Sequence, residues 1–467
     1  MKHHAPFCVA MFLALLAPHA IAAEEVEANT GETPTVYTPD SFTQFAPRTA
    51  LEMVERIPGF SIDDDDDGSR GFGQATGNIL INGQRVSGKS NGAESVLGRI
   101  AIANVARVEL LDGTALGIPG LSGQVVNVIT RDTGGVSGTW HWKGRVRENL
   151  PPTYNDMALS LSGGKGALSW TMEAESAPER GADAGPERIT DAKGVLLETR
   201  KEDYTHAAEY ASLAGSMAWK PVGGSIANLS AKVGIYEPDD KEISKLFPVG
   251  GLEGRRLYQG SEDEKTVELG ADYAFDLGPG RLKAITLARR EESPTTDRVR
   301  GGNLDGSDAF DSIFNQTVYE GEYILRGEYA WVPAPGRDWQ ISLEGAFNFL
   351  EAQSQLFASE GGGPLTEIFL SNANSRVEEQ RGEMTVTHGR ALSKTVSLQV
   401  SLGAEMSELS QTGDAENVRT FTRPKGFASL SWQVDPSLKL VTRLDREVGQ
   451  LDFFDFISSV NLNQGNG

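Results

Sequence analysis

Beyond its first two dozen residues the chain has no cysteine. Its one cysteine, Cys8, sits ahead of an apolar N-terminal core rather than after it, a place that does not suit a lipid anchor. The remaining chain therefore forms no disulfide and does no thiol chemistry. An exported protein without disulfides fits a bacterium better than an animal secretion. Positive charge is also scarce: 43 Lys and Arg stand against 65 Asp and Glu, a net charge of −22. Nucleic-acid binding needs a basic surface for the phosphates, so that class is excluded.

Long apolar runs are missing too. Met1 to Ala23 carries one basic residue, Lys2, an apolar run from Phe7 to Ala17 and a small-residue end at Ala20-Ile21-Ala22. This is the layout of a secretory leader, with a run too short to span a bilayer. After Ala23 nothing approaches the roughly 20 apolar residues of a membrane helix. A strand-built membrane protein remains open, because it shows only alternating hydrophobicity. Histidines are few, and outside the leader only His141, His206 and His388 remain, scattered and without metal-ligand spacing. No phosphate-binding loop or nucleophile elbow surrounds the glycines or Ser61, Ser69 and Ser87. Neither an enzyme nor a bound cofactor is expected.

What is present falls into two regions. From about Tyr37 to Asp132 the pattern is mixed. Arg48–Ile57 reads as a helix with Leu51, Val54 and Ile57 on one face, stopped by Pro58-Gly59. Asn78–Asn82 is a short strand turning at Asn82-Gly83, Ala93–Ile100 a second helix, and Val105–Leu110 and Val125–Thr130 further strands. After Asp132 the period is 2. Val267, Leu269, Ala271, Tyr273 and Phe275 alternate with Glu268, Gly270, Asp272 and Ala274, and similar runs recur to about residue 450.

Tight connections such as Gly163–Gly166, Pro221–Gly224 and Gly278–Gly280 alternate with long polar ones at roughly 176–207, 237–264, 292–319, 355–376 and 410–422. Short turns on one side and long loops on the other are the habit of an outer-membrane barrel. Trp219, Tyr236, Trp331, Trp339 and Trp432 stand near strand ends, as interfacial girdles require. The fold class is mainly β: a small α+β plug, then an antiparallel transmembrane β-barrel. The plug points to a barrel near 22 strands when complete. About 13 strands precede residue 450 and the tail has no terminal aromatic, so the chain reads as truncated.

Ala50–Gly59, Arg70–Gly73, Asn78–Arg85, Val105–Gly113 and Gly117–Thr130, in this order ahead of a barrel, resemble the plug of TonB-dependent outer-membrane receptors. The resemblance implies domains at 1–23 (leader), 24–39 (periplasmic extension), 40–134 (plug) and 135–467 (barrel). It implies import of a scarce nutrient such as a siderophore or oligosaccharide, energised by TonB with ExbB and ExbD. The membrane partner would be outer-membrane lipid. The strand that pairs with TonB has its counterpart at Glu32, Thr33, Thr35, Val36 and Tyr37, although Pro34 removes a backbone donor there. Arg70, Phe72, Gln74 and Arg85 become the ligand-facing plug candidates. A passive porin or structural barrel is the alternative, set apart by lacking a folded domain before the strands.

Five aspartates, Asp63–Asp67, precede Gly68, and Asp63, Asp65 and Asp67 match the opening of a calcium loop. Such a loop closes with a glutamate at its twelfth position, here Gln74. The three aspartates stay candidate cation ligands, weighed against a solvated, self-repelling loop.

Overall fold

A computed structural model describes residues 34–62, 77–86, 89, 92–113, 121, 123–131, 135–435, 438–446 and 448–462. The leader lies outside these residues.

Four strands make the first sheet: β1 (Thr35–Tyr37), β2 (Ile79–Ile81), β3 (Val105–Asp112) and β4 (Gln124–Thr130). Their order is β1-β3-β4-β2, with β2 parallel to β4 and the other pairs antiparallel. Two helices, α1 (Ala50–Val54) and α2 (Ala93–Arg99), pack on it. Thr49 caps α1 by accepting from the Glu52 backbone N–H at 3.3 Å, and Glu52 reaches back to the Arg48 N–H at 2.7 Å. Because α1 lasts only five residues, its inward places go to Ala50, Met53 and Val54, followed by Ile57; Leu51 packs at the margin. Asn82 (φ 53°) and Gly83 (φ 77°) are both left-handed, which a two-residue turn of the I′ kind demands. The Asn82 side chain ties this turn to β4, donating to Thr130 Oγ1 at 3.0 Å and accepting from the Thr130 N–H at 2.9 Å. β1 lies within the stretch read from sequence as an extension, and it joins the plug sheet.

The second sheet has 16 strands. They are β5 (Val136–Arg145), β6 (Thr153–Lys165), β7 (Leu168–Ser176), β8 (Glu179–Thr190), β9 (Leu196–Trp219), β10 (Ile226–Pro248), β11 (Gly254–Glu262) and β12 (Glu264–Leu277). The chain continues through β13 (Gly280–Asn303), β14 (Phe310–Ala334), β15 (Arg337–Glu360), β16 (Thr366–Ile368), β17 (Asn374–Ala391), β18 (Val396–Gly413), β19 (Asn417–Asp435) and β20 (Leu438–Arg446). Every pairing in this sheet is antiparallel. β7 and β8 run consecutively along β9, broken at Ala177-Pro178, and β11 and β12 share the space between β10 and β13. Counting each broken pair once and setting aside β16, which pairs only with β15, leaves the expected thirteen passes. Among the described residues β5 and β20 are the sheet's two edges.

The long polar connections are corrected by the structure. They are mostly strand: β14 alone has 25 residues, about 80 Å at 3.3 Å each, whereas crossing a bilayer takes about 9–11. The reversals at the far end are short, for example residues 249–253 and 304–309. Sequence polarity marks departure from lipid, and it does not mark the end of pairing. Past the apolar band these hairpins continue as paired, polar strand.

Burial is inverted relative to a water-soluble protein. Outward-facing Leu343, Leu402 and Met384 are exposed, Leu402 at 68%, while inward-facing Glu268 and Glu405 are each 1% exposed. An apolar exterior over a polar interior fits lipid outside. Trp331 and Trp339 stack at 6.2 Å beside the short turns, and Trp339 lies 4.1 Å from the His388 ring. Tyr236 departs from the expected girdle. It pairs in register with Glu264 and shares the inner face with Asp240, because positions two apart share a face.

Leu343→Arg places a charge near the middle of the lipid-facing band. It should cost about 2–4 kcal/mol, read by denaturant titration of the protein folded into lipid vesicles. Unchanged stability would count against a membrane band at this position.

Candidate functional site

The inward-facing side chains follow directly from the period of 2, and the wall they form is charged. Glu344 accepts from two guanidiniums, Arg381 at 2.8 Å and Arg326 at 3.3 Å, and Arg326 also holds Glu328 at 2.8 Å. Lys425 bridges Glu383 at 2.6 Å and Glu405 at 3.1 Å. Buried ions need partners, or one of them neutralises. Here β14, β15, β17, β18 and β19 supply them across the ladder.

The plug is fastened to this wall. Lys89 donates through Nζ to Glu322 at 2.8 Å, and its backbone N–H donates to Glu268 Oε1 at 3.2 Å. Lys283 Nζ donates to the Arg85 carbonyl at 3.4 Å. On another side Asn104 donates to Ser162 Oγ at 2.7 Å and the Ala101 N–H reaches the same oxygen at 3.4 Å. Arg99, 2% exposed, donates to Thr171 Oγ1 at 3.3 Å. A cavity of about 120 Å³ lies in the seam, bordered by Arg85, Asn104, Arg131, Trp170, Lys220 and Asp272.

Above the lipid band the inner wall becomes a vestibule of carboxylates and tyrosines. His206 Nδ1 lies 2.8 Å from Asp240 Oδ1, and the Tyr204 hydroxyl donates to the same oxygen. Tyr258 donates to Asp297 at 2.6 Å. A Cβ at Gly260 would meet both Tyr258 Oη and Asp297 Oδ1 within 2.7 Å, so this bond requires a glycine between the two side chains. Burial, then the Asp240 carboxylate, push the Tyr204 phenol up to about 12. The same causes, with Asp297 as partner, push Tyr258 upward as well. Burial raises Asp297 despite the Tyr258 hydrogen bond. Both phenols stay protonated at neutral pH and act in hydrogen bonding.

Of the residues singled out from sequence, Thr35, Val36 and Tyr37 form β1, paired with Leu110, Glu109 and Val108 on the edge of the plug sheet. Arg85 lies in the seam beside Lys283. Glu32, Thr33, Asp63, Asp65, Asp67, Arg70, Phe72 and Gln74 lie outside the described residues. Among the described residues no group of three or more His, Asp and Glu is arranged to hold a metal ion. Lys89 was overlooked because the glycine-bearing sequence around it carries no motif. The alternating inward Glu268 and the equivalent place of Glu322 in β14 were the available signal.

Residues 27–123 match the family description TonB-dependent Receptor Plug Domain. No curated protein matches the sequence. Similar solved structures include the siderophore receptor PiuA from Acinetobacter baumannii, at 12% identity over 86% of this chain and 62% of that one, with a TM-score of 0.34. The ferric citrate transporter FecA in its unliganded form is 11% identical over 89% of this chain and 78% of that one, with a TM-score of 0.28. A double mutant of the Serratia marcescens hemophore receptor HasR, in complex with its hemophore HasA and heme, is 12% identical over 88% and 62%, with a TM-score of 0.35. The chain spans 62% of the length of the first of these structures.

Lys89→Ala removes the ammonium that pairs with the largely buried Glu322 carboxylate. Removing one partner of a buried pair typically costs about 3–5 kcal/mol, so the plug should loosen. Single-channel recording in planar bilayers should then show openings absent from the unaltered protein; a silent variant would mean the plug does not depend on this contact.

Proposed function

We propose that this chain, a TonB-dependent receptor by its plug domain, is an energised importer in the bacterial outer membrane. Its cargo is a scarce small nutrient of the siderophore or oligosaccharide class. It binds in the vestibule from outside and is released past the plug when TonB, driven through ExbB and ExbD, acts from the periplasm. The chain performs no catalysis in this role.

One observation carries the reading: a folded plug is held in the lumen by Lys89–Glu322 and by the Asn104 and Arg99 contacts. A passive porin gains nothing from such a fastening. A gated importer needs a plug that is stable at rest and can be released. In this reading the contact segment for TonB is Glu32, Thr33, Thr35, Val36 and Tyr37. Among the described residues β1 pairs on one side, with β3, which leaves its other edge for an added strand. Arg70, Phe72 and Gln74, with Arg85 deeper in the seam, are the proposed plug contacts for cargo in transit. The domain limits at 23, 39 and 134 go with this proposal.

A deletion strain complemented with the gene, with and without TonB, would be assayed for uptake across a panel of iron chelates and oligosaccharides. Uptake of one panel member should vanish without TonB; uptake that persists overturns the mechanism. Val36→Pro removes a backbone donor from β1. It should reduce uptake at least about tenfold while leaving ligand binding to whole cells unchanged, as expected where backbone pairing supplies the coupling.

A further inference from the structure

A segment of this chain that belongs to no strand lies across the inner wall at the outer end. Asp452 opens a single 3-10 turn over Phe453–Phe456, accepting from the Phe454 N–H at 2.9 Å. Phe453 and Ile457 then enter an apolar patch made by Val318, Leu350, Ala352, Val377 and Leu409. These five lie on β14, β15, β17 and β18, among otherwise polar inward-facing positions.

The contacts that follow are made to main-chain carbonyls. Gln411 Nε2 donates to Phe456 O at 2.9 Å, and Ser375 Oγ donates to the same atom at 3.1 Å. Gln316 Nε2 donates to Ser458 O at 2.8 Å, and Arg256 Nη2 donates to Leu462 O at 2.5 Å. The donors are fixed in advance by the wall. Gln411 also donates to Ser375 Oγ at 3.0 Å, Gln316 to Ser354 Oγ at 2.9 Å, and Arg256 to Glu242 at 2.8 Å. Arg256, Ser375 and Gln411 are buried. A cavity of about 690 Å³ adjoins the segment, sharing Gln316 and Ser354 with it and adding Gln353, Gln355, Asn374 and Asp414.

Donors aimed at three backbone carbonyls, those of Phe456, Ser458 and Leu462, together with apolar sockets for two residues four apart, read the features of a peptide that makes one turn and then runs on across the wall. The carbonyl contacts do not depend on one set of side chains, but the sockets demand apolar residues at the spacing of Phe453 and Ile457. Without an occupant the patch would face water, which disfavours exposed apolar surface.

We propose that this groove is a peptide-binding subsite of the vestibule, with residues 451–462 as its resident occupant. The ligand is a peptide that carries aromatic or aliphatic side chains four residues apart, with a turn between them, and exchanges with the resident segment. The inference rests on the importer reading only in adding that peptide to the cargo; binding itself needs no TonB.

The test uses a fluorescein-labelled synthetic peptide of the sequence Leu451–Leu462 and a scrambled control, with the full chain in detergent. The variant Phe453→Ser/Ile457→Ser loosens the resident segment and should bind the peptide at least about tenfold more tightly than the unaltered protein. Adding Gln316→Leu/Gln411→Leu should reverse that gain, and the scrambled peptide should not bind. In a second measurement Ile457→Cys, whose thiol is unique once the leader is removed, should react slowly with maleimide and faster when the peptide is present. Equal binding of both peptides, or no peptide effect on maleimide reactivity in a folded barrel, overturns the proposal. Peptide binding without TonB-dependent import of the peptide would uphold the groove and remove the peptide from the cargo, while the importer reading stands or falls separately on the uptake panel.

Discussion

A backbone that crosses lipid has no water to bond with, so each strand must pass its amides and carbonyls to neighbouring strands. From that constraint the rest follows. The ladder fixes a period of 2, the period sends one set of side chains to lipid and the other inward, and the inward set cannot be apolar if the lumen is wet. Glu344 between two arginines and Lys425 between two glutamates show how the inner set is kept charged without isolated ions. The plug then meets a wall that is polar by necessity, and it is held there by ion pairs and hydrogen bonds.

Much of this was legible in the sequence because alternation survives without tertiary context. The thirteen passes, the tight turns and the Asn82-Gly83 reversal all appear where the residues demanded them. Less visible were features that depend on neighbours. A run such as Glu237-Pro238-Asp239-Asp240 looks like a loop by composition, yet it pairs with Glu209–His206 on β9. Once outside lipid, a strand needs a partner and no longer needs apolar residues. Tyr236 was assigned to a girdle by its chemistry, whereas its register puts it inward.

The candidate site was less legible than the fold, for a physical reason. Lys89 acquires meaning only when two carboxylates from β12 and β14 converge on it, 179 and 233 residues away in the chain. Likewise Gln316, Ser375 and Gln411 look like ordinary polar alternates until a backbone is laid across them. Gly260 gives no local sign that its missing side chain makes room for the Tyr258–Asp297 bond. Such residues are defined by what faces them, and periodicity alone does not encode the opposite wall.

β1 carries a mechanical consequence. It has three residues, paired with three on β3, while β3 is itself bonded along its length to β4. Tension applied to the chain ahead of Thr35 would therefore reach the plug through a very short ladder backed by a longer one. The weak link comes first in the line of force. A modest pull would detach β1 and lengthen the tether while the β3–β4 pairing, with the core beneath it, stays closed.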